Sequence, residues 1–266
     1  MSKYNVVFVL VNYKTENEII HFIDTLNVDF TYRIVCVNNY SNNDSLSQVR
    51  ILSKKFDFDL IENKNTGYGN GNNIGIEYAL KRYNFEFLIV SNCDIEILKL
   101  SKNDLFKYTK GIIAPTIKTL DNRLQNPMYK KRHTSLYFLF EISRKLKSLK
   151  SLYLGVALSK FFAKIDTKTK RIYAAHGSFI IFTNITLKKM HPIFDNEMFL
   201  FCEELVLAEK AFYLNEPIYY DENMSIKHFE DASMNEYTDS MSKFNLWRKS
   251  YKIFYSKYFL KENLEN

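Results

Sequence analysis

Phe87-Leu88-Ile89-Val90-Ser91-Asn92-Cys93-Asp94-Ile95-Glu96 decides the reading of this chain: an apolar run rich in β-branched residues stops at Asn-x-Asp-x-Glu. The run predicts a buried strand over Phe87 to Ser91. Acid side chains at the C-terminal end of such a strand lie where an open α/β sheet gathers metal or phosphate ligands, in the crevice outside the carboxyl ends of its strands. Turn chemistry allows a plainer reading, a strand followed by a polar turn that caps the next helix. The surrounding segments weigh between the two.

Upstream, apolar strands alternate with helical stretches in the order of βαβ units and a mostly parallel sheet. The sequence predicts a strand from Val6 to Val11, a helix from Asn17 to Leu26, and a strand from Tyr32 to Asn38. A polar turn from Asn39 to Asp44 then leads into a helix through Phe56, and a short strand follows from Phe58 to Glu62. Asn63 to Gly75 holds four of the seven glycines and opens a helix from about Ile74 to Tyr83. Downstream, 121–169 is a basic and aromatic insertion with helical spacing. A strand is predicted from Ala174 to Phe182, a helix from Glu203 to Leu214, and an extended piece starting at Pro217 to Tyr220. An amphipathic aromatic helix from Phe244 to Phe259 closes the chain.

At 266 residues, with 46% hydrophobic and 25% charged residues, the chain is globular and can bury a full core. No stretch approaches the ~18 uninterrupted apolar residues of a membrane span, so an integral membrane protein is not expected. The six-residue run Val6 to Val11 reads as a first strand, not a signal peptide. Cys36, Cys93 and Cys202 are odd in number and far apart, as expected of reduced cytosolic thiols. The formal charge is +7, yet the segment from Tyr129 to Arg171 carries twelve Lys or Arg against Glu141 and Asp166 only. That local excess implies a polyanionic partner: an anionic bilayer, nucleic acid or a phosphate-bearing substrate.

Four constellations can carry chemistry. The glycine cluster Gly67 to Gly75 follows the third strand, which fits a Rossmann dinucleotide site poorly, and no Walker Gly-Lys-Ser/Thr is present. It can bring backbone, amide side chains and a helix N-terminus to a ligand, or serve as a flexible turn. The turn Val37-Asn38-Asn39-Tyr40-Ser41-Asn42-Asn43-Asp44 places carbonamides where a base edge can be read, or supplies helix caps through Ser41 and Asp44. Glu203-Glu204 are paired carboxylates before a helix; the dipole favours them there, and partial burial would raise a pKa toward that of a general base. His228 is either a structural histidine or a metal ligand.

In this order the segments resemble the bacterial family 2 glycosyltransferases of the GT-A fold, especially the rhamnosyltransferase-like branch of O-antigen and capsule synthesis. The resemblance covers roughly residues 5 to 235. The family's opening V-x-V-x-N-Y is similar to Val9-Leu10-Val11-Asn12-Tyr13. Its base-recognition turn matches Val37 to Asp44, with Asn38 in place of the usual Asp and with Asn39 and Ser41 beside it. Asn65 through Gly75, including Gly67 and Asn73, is nearly letter for letter the family's N-x-G-(F/Y)-(G/A)-x-G-N-N-x-G. Asn92-Cys93-Asp94 aligns with the family's metal-site motif. Phe194 through Glu204 resembles its F-D-E-x-F-F-x-Y-x-E-D, with Glu204 where Asp is common.

The resemblance implies an α/β GT-A architecture: a mostly parallel mixed sheet flanked by helices, with a basic helical insertion and a C-terminal amphipathic helix. It divides the chain into a catalytic domain at 1–235 and an extension at 236–266. Within the domain lie a nucleotide-binding half (1–115), the insertion (121–171) and an acceptor half (174–235). It implies that Val11, Asn12, Tyr13, Asn38, Asn39, Ser41, Asn65, Gly67, Asn73, Asn92 and Cys93 bind the nucleotide. Asp94 and His228 would hold Mn2+ or Mg2+, and Lys210 and Arg248 are candidate contacts to the diphosphate. Glu203 and Glu204 are the candidates for the base that deprotonates the acceptor.

The chemistry accounts for these parts. A leaving diphosphate must be neutralised, which a hard divalent cation does. A single base and a single displacement imply inversion at the anomeric carbon, by analogy with inverting glycosidases. The expected partners are a UDP- or dTDP-sugar and a saccharide or polyprenyl-diphosphate-linked acceptor. Peripheral contact with an anionic membrane through the basic insertion is expected at the cytoplasmic face, unless the insertion is a lid with a solvated rim. The closing helix could instead form a homodimer contact. Two rivals stand beside this reading. A sugar-phosphate nucleotidyltransferase expects a glycine-rich basic loop after the first strand, which Asn12-Tyr13-Lys14-Thr15-Glu16 lacks. A catalytically degenerate scaffold on membrane or nucleic acid is the other; no recognition module supports nucleic acid.

Overall fold

The computed structural model describes residues 2–40, 43–132, 170–230 and 240–260, together with 138, 141, 142 and 144–146. Its centre is a mixed sheet whose first strand, β1 (Ser2–Asn12), is fully buried from Val6 to Leu10. A strand covered on both faces carries an unbroken apolar run, because neither face meets water. β1 pairs in parallel with β2 (Tyr32–Asn38) on one side and β4 (Tyr83–Ser91) on the other, and β3 (Asp59–Glu62) extends the parallel half beyond β2. The crossovers are α1 (Glu16–Thr25), α2 (Asn43–Lys55) and α3 (Tyr68–Arg82).

The second half adds β5 (Ile95–Lys99), the short α4 (Lys102–Leu105), β6 (Ile112–Thr119), β7 (Arg171–Ile172), β8 (Phe179–Thr183), α5 (Asn184–Met190), α6 (Glu203–Tyr213), β9 (Ile218–His228) and α7 (Ser240–Phe254). The strand order is β3-β2-β1-β4-β8-β6-β9-β5, with β7 beside β9. β8 runs antiparallel to β4 and β6, so the direction of the sheet changes at β4. The end of β4, where Asn92 to Asp94 emerge, therefore opens onto a crevice.

Two cores sandwich the sheet. Phe8, Leu10, Ile34 and Ile89 meet Ile19 and Phe22 of α1 and Val49 of α2 on one face. Val7, Val9, Val35 and Val90 meet Ile76 and Ala79 of α3, Leu187 of α5 and Leu207 of α6 on the other. A third cluster joins Tyr173, Met198, Cys202 and Leu205 to Tyr251 and Phe254 of α7. The aromatic face predicted for the terminal helix is thus turned onto the chain's own core, with Phe244, Tyr251 and Phe254 buried. After Phe254 the helix widens into a π-turn over Tyr255–Phe259.

Several sequence expectations are corrected here. The glycine segment is helix from Tyr68 onward, six residues before the expected Ile74. Its glycines are close-packing positions: a Cβ at Gly75 would lie 2.4 Å from Val9 Cγ1, and one at Gly71 would lie 2.8 Å from Asn39 Nδ2. Gly67, at φ +103°, is where the chain turns into α3. β4 starts at Tyr83, because Tyr83, Phe85 and Phe87 alternate inward with the exposed Asn84 and Glu86. Asn92 to Asp94 caps no helix; the chain goes straight into β5. The strand expected over Ala174 to Phe182 is confined to β8, and the unforeseen α5 is capped by Thr183, whose side chain accepts the Thr186 N–H. Most of the basic insertion lies outside the described residues.

Among the described residues no helix is long and apolar enough to cross a membrane. The three cysteines are buried free thiols.

Candidate active site

The parallel register brings the ends of three strands together, since Asn12 lies opposite Asn38 and Leu10 opposite Ser91. The resulting amides interlock. Asn12 Nδ2 donates to Asn38 Oδ1 at 2.7 Å, while Asn12 Oδ1 accepts the Thr15 N–H at 3.0 Å and the Thr15 hydroxyl at 2.6 Å. Asn38 Nδ2 donates to the Tyr40 carbonyl at 2.6 Å, and Asn39 Nδ2 donates to the Gly67 carbonyl at 3.1 Å. All three are buried, so their side chains build the crevice floor, and the oxygen of Asn38 is already engaged. Above them Tyr13 meets Tyr40 edge to face at 5.3 Å, with the Lys14 ammonium 4.7 Å from the Tyr40 ring centre. Aromatic faces with a cation above suit a nucleobase.

Asn65 and Asn73 work inside the fold. Asn65 Oδ1 accepts the Gly67 N–H at 3.2 Å. Asn73 Nδ2 donates to the Phe194 carbonyl at 2.8 Å, and its Oδ1 accepts the Phe194 N–H at 3.0 Å, pinning the loop before α6 to α3. The Val11 carbonyl accepts from the Cys93 thiol, Sγ to O 3.6 Å. Ser41 lies outside the described residues.

A cleft of about 470 Å3 opens beside this floor, lined by Tyr68, Asn92, Asp94, Gln125, His176, Gly177, Ser178, Leu200, Phe201, Glu203, Glu204, His228 and Glu230. Asp94 and His228 meet in it, with Asp94 Oδ1 3.3 Å from His228 Nε2. β5 and β9 are antiparallel with Ile95 opposite His228, which sets the pair. The tautomer follows from the surroundings. Glu230 only accepts, so the 2.6 Å bond to its carboxylate assigns Gln125 Nε2 as donor, and Gln125 Oε1 then faces His228 Nδ1 at 2.8 Å. His228 Nδ1–H therefore donates to Gln125, and its Nε2 faces Asp94 Oδ1 and Asn92 Nδ2, each at 3.3 Å. An outer partner that fixes ring and tautomer is typical of a metal-binding histidine.

One carboxylate and one imidazole fit a hard divalent cation that takes its remaining ligands from phosphate oxygens and water. Among the described residues no group of three or more His, Cys, Asp or Glu is assembled.

On α6, Cys202 precedes Glu203 in a left-handed conformation (φ +67°), as does Phe201 (φ +71°). Both carboxyls are pushed above the usual range, Glu203 by burial and then by the charge of Glu204, Glu204 by burial. Their surroundings differ. Glu203 is 5% exposed, and among the described residues its Oε1 has no hydrogen-bond partner, so nothing offsets the cost of a buried charge there and the neutral carboxyl is favoured. Glu204 is half-buried and accepts the Gly177 N–H. Tyr68, its phenol held protonated by burial, donates between Asn92 Oδ1 (2.8 Å) and the Gly177 carbonyl (3.1 Å). It links the Asp94 side of the cleft to the Glu204 side.

No protein-family model matches the chain. Over 114 residues it is 32% identical to the low-salt glycan biosynthesis hexosyltransferase Agl10 of Haloferax volcanii, a match spanning 41% of this chain and 35% of that protein. GalNAc-T7, solved with UDP, GalNAc and Mn2+, aligns with a TM-score of 0.58 over 98% of this chain and 58% of its own, at 12% identity. TarS of S. aureus, in complex with UDP-GlcNAc, aligns at 0.54 over 98% and 69%, with 14% identity. The mannosyltransferase PcManGT of Pyrobaculum calidifontis, with GDP-Man and Mn2+, aligns at 0.52 over 86% and 57%, with 13% identity. The fold is that of the GT-A glycosyltransferases.

Within this GT-A fold the chain brings Asn92, Asp94, Glu203, Glu204 and His228 into one cleft, and sets Asn12, Asn38 and Asn39 beneath the neighbouring crevice. Lys210 and Arg248 are placed elsewhere. The Lys210 ammonium, lowered by burial to about 8, donates to the Pro192 and Ile193 carbonyls. Arg248 Nε donates to the Arg144 carbonyl at 3.0 Å. Sequence reading gives no role to Gln125 or Glu230, and places Leu200 and Phe201 only within the Phe194–Glu204 motif. Gln125 sits in an irregular stretch after β6 with no local pattern, and only strand pairing brings it to His228.

Proposed function

We propose that this chain is an inverting, metal-dependent glycosyltransferase that moves a hexosyl or deoxyhexosyl group from a UDP- or dTDP-sugar. The observation that carries the reading is the convergence of Asp94 and His228 with the raised Glu203/Glu204 pair in one cleft of a GT-A sheet. Agl10 is named a hexosyltransferase, and TarS and GalNAc-T7 are solved with UDP or a UDP-sugar, which supports a nucleotide-sugar donor. Mn2+ in PcManGT and GalNAc-T7 supports a divalent ion at Asp94 and His228. Bound there, the ion would neutralise charge developing on the leaving diphosphate.

The chain's own residues supply the rest. Glu204, at the cleft surface with the Gly177 N–H to orient it, takes the proton of the acceptor hydroxyl. Glu203 keeps its proton and leaves Glu204 as the ionised member, since two neighbouring carboxylates in one cleft resist carrying a double negative charge. One base acting in a single displacement corresponds to inversion at the anomeric carbon. Tyr13 and Tyr40 hold the base of the nucleotide, and Leu200 and Phe201 form the acceptor wall.

The acceptor in this reading is a saccharide or a polyprenyl-diphosphate-linked sugar of surface polysaccharide such as O-antigen or capsule. The basic segment from Tyr129 to Arg171 holds the enzyme at an anionic inner membrane face. Calorimetric titration with UDP and dTDP, with and without Mn2+, on the wild type and Asp94→Ala tests the core of the reading. Metal-dependent binding abolished by the substitution is expected. Absence of binding by the wild type to either nucleotide with any metal overturns it.

A further inference from the structure

The Glu204 carboxyl occupies the space where a side chain on Gly177 would stand. Gly177 lies in the turn between the Tyr129–Ala174 bridge and β8. Among the described glycines, Gly67 and Gly111 have positive φ; Gly177 does not, so its backbone makes no demand for glycine. The demand comes from its neighbour. A Cβ at Gly177 would lie 2.7 Å from Glu204 Oε1, 3.2 Å from its Cδ and 3.4 Å from its Cγ, and these are the three nearest heavy atoms. The Gly177 N–H then donates to the carboxyl that fills this space.

The same turn is tied to the cation side of the cleft. The Asn92 N–H donates to the Ser178 carbonyl at 2.9 Å. The Tyr68 hydroxyl lies 3.1 Å from the Gly177 carbonyl and 2.8 Å from Asn92 Oδ1, so one phenolic proton serves both acceptors. Tyr68 is itself anchored, since its N–H donates at 3.0 Å to the carbonyl of Phe199, in the loop that leads to Glu203 and Glu204. On its far side Asn92 faces His228, Nδ2 to Nε2 3.3 Å. Glu204, Gly177, Tyr68, Asn92 and His228 thus form an unbroken series of contacts across the cleft.

We propose that Gly177 and Tyr68 are positioning residues for the base: Gly177 seats the Glu204 carboxyl, and the Tyr68 hydroxyl braces that seat against Asn92, fixing the base relative to the cation site. The proposal rests on the glycosyltransferase reading above, which makes Glu204 the base, and it goes further by naming what holds the base in place. An acceptor oxygen must lose its proton while it faces the leaving group, so base and cation have to stand at a set separation. A misplacement of about 1 Å costs about 100-fold in rate. A methyl group at residue 177 meets first the end of a flexible side chain. The fold can accommodate it, but only by moving the carboxyl.

The test begins without substrate, by hydrogen exchange on protein labelled with nitrogen-15 glycine. The chain has seven glycines, and Gly177 is assigned by the signal lost in Gly177→Ala. Glu204→Ala removes the acceptor of the Gly177 N–H and is expected to speed its exchange about tenfold or more. Transfer is then followed as nucleoside diphosphate released from a panel of UDP- and dTDP-sugars in Mn2+. Gly177→Ala is expected to keep the wild-type thermal midpoint and the wild-type Kd for UDP in Mn2+, while transfer falls about 100-fold. Tyr68→Phe leaves residue 177 untouched; it is expected to quicken Gly177 exchange and to lower transfer at unchanged UDP affinity. Gly177→Ala combined with Glu204→Asp, whose carboxyl is one methylene shorter and clears the methyl, should transfer faster than Gly177→Ala alone. Unchanged Gly177 exchange in Glu204→Ala overturns the proposal, and so does wild-type transfer in Gly177→Ala. If wild type neither binds UDP nor turns over any of the sugars, the glycosyltransferase reading itself fails, a different result, and the exchange measurement still decides whether Gly177 holds Glu204.

Discussion

Asp94 Oδ1 stands 3.3 Å from His228 Nε2 because β5 leaves Asp94 antiparallel to β9 and places Ile95 opposite His228. Each side chain is brought to the pair by backbone pairing, and the histidine ring is then aimed by Gln125. Replacing an outer partner of a ligating histidine costs about 10- to 100-fold in metal affinity. Gln125→Leu is therefore expected to weaken Mn2+ binding by about that factor in a titration monitored by paramagnetic relaxation, with little change in thermal midpoint.

Glu204→Gln removes the proposed base without removing any group at the cation site. Transfer should fall about 10²- to 10⁴-fold, the range of a general base, while the Kd for UDP with Mn2+ stays at the wild-type value. The carboxyl is raised by burial, and only its ionised form accepts a proton. The wild-type rate should therefore climb with pH through a limb above the ordinary carboxylate range, and this limb should vanish in Glu204→Gln.

Glu203 makes the opposite demand on stability. Its folded pKa is raised, so above the unfolded value of about 4.3 the folded chain holds a proton that the unfolded chain releases. Stability from this group is complete in acid and declines as pH rises toward the raised folded pKa. Thermal midpoints between pH 5 and pH 9 should fall for wild type, and fall less for Glu203→Gln.

Gly75→Ala places a Cβ 2.4 Å from Val9 Cγ1 and 3.1 Å from Val37 Cγ2, where α3 lies closest to β1 and β2. Overpacking a tight interface costs about 1–3 kcal/mol. Urea denaturation should record a loss of that size, although alanine is the better helix former at an exposed position.

Asp195 is buried, and its Oδ2 accepts from the Tyr258 hydroxyl at 2.5 Å and pairs with Lys257 Nζ at 2.8 Å. Burial raises its pKa, but these partners outweigh that, and the folded value is depressed. The bond from Tyr258 stabilises the fold above the unfolded carboxylate pKa and loses its worth as pH falls through the depressed one. Tyr258→Phe should cost about 1–3 kcal/mol at neutral pH and progressively less in acid, as read by urea titrations at several pH values.

The parallel half of the fold was legible because its signals are local. β2 runs from Tyr32 to Asn38 as the apolar run and the following polar turn predict, and α6 starts at Glu203 where paired acids suit a helix N-terminus. The glycine segment reads in sequence as a turn up to about Ile74 but is helix from Tyr68, because glycine marks both turns and close helix–strand contact. Which one applies depends on Val9, Val11 and Val37, residues far away in the chain. The resemblance suggests Lys210 and Arg248 as diphosphate contacts, whereas in the fold the carbonyls of Pro192 and Ile193 accept from Lys210 and the carbonyl of Arg144 accepts from Arg248.

By itself the sequence determined the buried strands and the polar residues at which they stop, because a run of apolar side chains can be satisfied only inside a covered sheet, and that requirement acts residue by residue. It also carried the acids, amides and histidines of the cleft. Only the tertiary structure decided their roles. Strand pairing joined Asp94 to His228, and Gln125 aimed the His228 ring. Helix packing buried Glu203 and left its neighbour Glu204 half-buried in the same cleft. Adjacent residues on a helix point about 100° apart, so two identical side chains meet different surroundings, and it is the surroundings that set a carboxyl's charge.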